Sequence, residues 1–72
     1  MKLSDHLLSQ IYMEIGRLSF CIYKGVPESE AVGLAAIINH LSALLIGKLS
    51  VNDFHDQIST APQKVREYYY EL

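Results

Sequence analysis

AVGLAAIINHLSALLIG, the run from Ala31 to Gly47, carries no charged side chain. A helix on the surface of a small domain normally shows a charged face. Here only Asn39, His40 and Ser42 are markedly polar. Leu34, Ile38, Leu41 and Leu45 recur at alternating spacings of four and three, which is one apolar seam of a helix, widened by Ile37 and Leu44. Beside the seam runs a stripe of small residues, Gly33, Ala36, Ala43 and Gly47, interrupted by His40. Small residues let a second helix approach closely. A chain of 72 residues buries only about 60% of the surface its unfolded form exposes. The run therefore predicts that something outside the chain covers this helix.

Immediately upstream lies Lys24-Gly25-Val26-Pro27-Glu28. Glycine suits a helix C-terminus and proline the first turn of the next helix. Glu28 and Glu30 then fall in that first turn, where the helix dipole favours acids. Before this break the pattern predicts a helix from an N-cap at Ser4 to about Tyr23, with Leu8, Ile11, Ile15, Leu18 and Ile22 as its seam. Met13 and Phe20 fall on the opposite side as a second apolar patch. The second helix is predicted from Pro27 to about Lys48, and two helices joined by so short a turn pack antiparallel.

Downstream, Ser50 is placed to cap a short helix that has Asp53 at its third position. Thr60-Ala61-Pro62-Gln63 has the form of a capping box, opening a last helix from about Ala61 to Glu71 that contains Tyr68-Tyr69-Tyr70. Tyrosines suit interfaces, but this triplet reads first as cover for the hairpin core. No segment shows a sustained strand alternation. The expected architecture is all-α and a single domain over residues 1–72. It consists of a long antiparallel helical hairpin over 1–49 and a short helical C-terminal extension over 50–72.

Composition excludes several classes of function. Half the residues are hydrophobic, too many for a disordered chain. The formal net charge is −2, with no basic excess to neutralise phosphates, so nucleic acid is not an expected partner. MKLSDHLLSQ lacks the apolar core and small-residue cleavage site of a signal peptide. The uncharged run is 17 residues, with Asn39 and His40 at its midpoint, where polar groups are costly in lipid; a span needs about 20 apolar residues. No membrane span is expected, and a cytoplasmic location is. A single cysteine, Cys21, cannot form an internal disulfide.

No catalytic constellation can be assembled. His6, His40 and His55 are far apart in sequence and none neighbours Cys21, so no metal site or cofactor is expected. Cys21 lies inside a helical apolar pattern and reads as a small buried hydrophobe. His40 reads as a packed or hydrogen-bonded side chain, and His55, flanked by Asp53 and Asp56, as part of a solvated face. Paired carboxylates, a phosphate-binding glycine loop and a nucleophile elbow are all lacking. The chain is thus expected to act through a protein partner and not as an enzyme. Met13, Phe20, Ala36, Ile37, His40, Ala43, Leu44 and Gly47 are the candidate partner-binding residues.

The order of helix, Lys-Gly-x-Pro-Glu turn and a helix bearing Leu41-Ser42-Ala43-Leu44-Leu45 resembles the small co-chaperones of type III secretion needle subunits, the YscE/PscE/EscE family. The likeness covers roughly residues 7–49. It implies a short cytoplasmic helical hairpin that pairs with a larger helical-repeat chaperone. The pair keeps the needle subunit soluble and unpolymerised before export. A fainter likeness, from Asn39-His40-Leu41 to Lys48-Leu49, is to nucleoid modulators of the Hha/YmoA type, but the charged residues typical of that family around the histidine are missing. A homodimeric helical adaptor, two hairpins forming a four-helix bundle, is a further alternative.

Overall fold

Ser4 opens the first helix as expected: its hydroxyl accepts from the Leu7 N–H at 3.2 Å. In the computed structural model, which describes residues 3–70, helix α1 then runs Asp5–Lys24. It stops at Gly25, whose φ of 113° is open to glycine and strained for other residues. The Gly25 N–H donates to the carbonyls of Cys21 and Ile22. Helix α2 spans Glu28–Leu45, α3 Val51–Ser59 and α4 Gln63–Tyr70. The fold is all-α: α1 and α2 form the helical hairpin, and the two short helices follow it.

Several boundaries differ from the sequence expectation. Pro27 is the N-cap residue of α2, outside the helix and not in its first turn. Its fixed φ is compatible with either position, and its carbonyl accepts from Glu30 and Ala31. The far end of α2 comes at Leu45, not Lys48. Gly47 adopts φ 79°, the Lys48 N–H returns to the Ala43 carbonyl at 2.8 Å, and the Gly47 N–H reaches Leu44. This is a Schellman closure, so Gly47 ends the helix and is not part of its small-residue stripe.

Ser50 caps α3, accepting from the Asp53 N–H at 3.1 Å. The expected capping box at Thr60 does not form. Thr60 closes α3 instead, and its hydroxyl donates to the Gln57 carbonyl. The Gln63 side chain turns forward to Glu67 at 3.3 Å, and α4 starts two residues later than expected. Its predicted end at Glu71 lies outside the described residues.

The core is built on α2. Leu34, Ile37, Leu41 and Leu44 are all buried, and they meet Ile11 and Leu18 from α1, Phe54 and Ile58 from α3 and Val65 from α4. The expected seam is therefore rotated: Ile37 and Leu44 join Leu34 and Leu41 in the buried arc, while Ile38 and Leu45 are only half-buried. Three helices pack on α2 from different directions, so its apolar arc must be wider than a hairpin seam. The predicted cover from outside the chain is thus supplied largely from within.

Gly33 shows this most directly. A Cβ there would clash with Cγ2 of Val65 and lie 3.3 Å from its Cβ. The close approach that small residues of α2 permit is used by α4 of the same chain. Arg17 ties the other end of α4 to α1: its guanidinium pairs with Glu14 and donates to the Tyr68 and Tyr69 carbonyls at 3.0 and 2.8 Å. A helix C-terminus leaves such carbonyls unpaired and carries partial negative charge. A cation placed there satisfies both needs.

Candidate partner-binding surface

The α1 residues that face α2 occupy one side of the helix, leaving the other side free of charge over four turns. Tyr12 and Met13 are 72% and 71% exposed, Phe20 58% and Tyr23 85%. Ser9, Gly16 and Ser19, also exposed, fill the positions between them. At 100° per residue these seven share one arc of the helix. Phe20 stacks on Tyr23 with ring centroids 6.3 Å apart, and the Lys24 ammonium sits 5.7 Å from the Phe20 centroid. Exposed single hydrophobes need no explanation, but a contiguous apolar patch of a few hundred Å² marks an interaction site.

The expected partner-binding residues separate into three groups. Met13 and Phe20 lie together on this α1 face. Ile37 and Leu44 are 2% and 5% exposed and belong to the chain's own core, because α3 and α4 pack on the side of α2 that carries them. Ala36 is exposed, with half-buried His40 and Ala43 on the same side of α2, and exposed Gly47 lies beyond the helix end. This α2 surface is uncharged too, with small side chains apart from Asn39, His40 and the exposed Val32 and Ile46, and it carries no exposed aromatic carbocycle.

Tyr12, Gly16 and Tyr23 were not among the expected residues. Their signal was a row at positions 12, 16, 20 and 23, which repeats at helical spacing as the core row does. Three of its four residues are tyrosine or glycine, so an apolar-versus-polar count passes over it.

Near Met13 a cleft of about 360 Å³ opens between α1 and α3, lined by Leu7, Ile11, Phe54, His55 and Tyr69 among others. Tyr69 packs edge-on to Phe54, with centroids 5.9 Å apart. Its phenol is held above the ordinary value of 10.0, first by burial and then by the Glu14 carboxylate, with Arg17 opposing. Tyr68 and Tyr69 pack on the core, as the cover reading of the triplet expected, while Tyr70 is 62% exposed. Cys21 is half-buried against the same core. Among the described residues no three His, Cys, Asp or Glu side chains gather as metal ligands, and no helix is long and apolar enough to cross a membrane.

Comparison with known proteins finds no matching family model, no matching curated protein and no matching solved structure.

Proposed function

We propose that this chain is a non-enzymatic interaction subunit that pairs the outward face of α1 with an apolar helix of another polypeptide. The observation that carries this reading is the uncharged face holding Tyr12, Met13, Phe20 and Tyr23, each more than half exposed. Aromatic residues and methionine are enriched where proteins meet, and lysine and glutamate are depleted there. The face has too few cations to favour a lipid surface or a phosphate backbone.

The resemblance to needle co-chaperones supports a finer form of the proposal. In that form the protein is cytoplasmic, a larger helical chaperone occupies the α1 face, and the pair holds a needle subunit soluble before export. The test is to co-express the tagged chain in its host and compare wild type with the Met13→Glu/Phe20→Glu double variant. Both side chains project outward, so helicity and thermal unfolding should be unchanged, while a stoichiometric complex should be lost. Equal recovery of the same complex by the folded variant would sink the proposal.

A further inference from the structure

Gly16 has no role in the fold that contains it. It sits in the middle of α1, where glycine is about 1 kcal/mol worse than alanine. Its φ is not positive, and a Cβ built on it meets nothing within 4 Å. Gly25 and Gly47 are required by their positive φ, and Gly33 by Val65. Gly16 alone among the glycines has neither a positive φ nor a packing neighbour to account for it, and its missing Cβ leaves a notch at the centre of the α1 face. The missing Cβ is explained if a second backbone approaches from outside.

We infer that the occupant of this face is α1 of a second copy, crossing antiparallel at Gly16. This rests on the reading of α1 as the docking surface and names a second copy, in place of the larger chaperone of the finer form, as what docks. The face is self-complementary in that arrangement. With Gly16 opposite Gly16, residue i lies opposite residue 32−i. Tyr12 then meets Phe20 of the second copy, Met13 meets Ser19, and Ser9 meets Tyr23, so large side chains face small ones or another ring.

The charges agree with this direction. Asp5 lies on the same face at its N-terminal end, and Lys24 borders it at the C-terminal end; both are exposed. An antiparallel pair brings each Lys24 to within three residues, about 4.5 Å of helix rise, of the other copy's Asp5. A parallel pair would set lysine beside lysine and align the two helix dipoles.

The area is also sufficient. At about 200 Å² per aromatic side chain, the exposed fractions of Tyr12, Phe20 and Tyr23 offer roughly 400 Å² per protomer. With Met13 and the small residues included, two protomers bury on the order of 1,000 Å², the size at which specific contacts separate from incidental ones.

Light scattering of the purified full-length chain across a range of concentrations tests this, with three variants. Wild type should have twice the 8.1 kDa chain mass. Gly16→Glu, which places two carboxylates at the two-fold axis and meets nothing in its own chain, should be a folded monomer. Gly16→Cys should oxidise to a covalent dimer, whereas Val32→Cys, exposed on α2, should not. A wild type that remains monomeric at every concentration overturns the inference. So does a dimer that Gly16→Glu leaves intact. The reading of α1 as an interaction face is judged separately: a monomer that still loses a foreign partner on Met13→Glu/Phe20→Glu substitution retains that reading and rejects only the second copy.

Discussion

Two helix-interior glycines with opposite surroundings make the sharpest comparison at the scale of single residues. Gly33 is in contact with Val65 across the α2–α4 interface, and Gly16 faces open space. Gly33→Ala should destabilise the fold by about 1–3 kcal/mol, because the added methyl forces α4 outward. Gly16→Ala should stabilise the isolated chain by roughly 0.5–1 kcal/mol through helix propensity. Urea unfolding of both variants, at concentrations low enough to keep the chain monomeric, would show the difference; equal effects would mean that the α2–α4 contact is not formed as described. Tyr69 gives a pH test. Its phenol is raised in the fold, so the folded state holds the proton more tightly than the unfolded chain does. Its contribution to stability is therefore full below pH 10 and decreases as pH rises further. Tyr69→Phe should flatten that alkaline decline, measured by thermal unfolding between about pH 8 and 11.

At the scale of elements, local sequence decided the beginnings better than the ends. Ser4 and Ser50 both lie one residue before a helix and accept from the N–H three residues on. Such capping depends on neighbours in sequence alone, and it was legible. The Thr60–Gln63 pair has the same spacing and serves a different end: Thr60 donates backwards into α3. A hydroxyl can cap the helix that follows or close the one that precedes, and Pro62 has no N–H to help select the former. Ser50→Ala should cost about 1 kcal/mol of stability, whereas Thr60→Ala should cost clearly less, since no N–H of α4 depends on it. Chemical denaturation of the two variants would settle the order, and an equal loss would restore the capping-box assignment. The two ends of α2 followed the same logic. The residues Lys24-Gly25-Val26-Pro27 marked the break between helices, but whether Gly47 would continue α2 or end it depended on φ, which the apolar pattern does not report.

At the scale of the molecule, α3 and α4 complete the core and are not an appendage. Phe54, Ile58 and Val65 supply three of the nine buried core residues among the described ones, all against α2. A hairpin truncated after residue 49 should therefore expose Ile37 and Leu44, bind a hydrophobic dye, lose its sharp thermal transition and associate without defined stoichiometry. A truncated hairpin that unfolds cooperatively as a monomer would show that α3 and α4 contribute little.

The amino-acid pattern by itself determined the helical class, the hairpin, the break at Gly25-Val26-Pro27, two serine caps and the presence of an apolar patch at Met13 and Phe20. Each follows from interactions within a few residues of chain: helical periodicity, caps and φ preferences. Only the tertiary structure decided which arc of α2 is buried, that Gly33 admits α4, and that Ile37 and Leu44 are enclosed and not available to a partner. An all-round apolar helix looks the same in sequence whether its cover comes from a second protein or from residues 51–70 of its own chain. The choice depends on how many other elements pack on it and from which directions. With the apolar side of α2 enclosed, the uncharged surface that carries exposed aromatic rings was on α1, around a glycine for which the fold itself has no use.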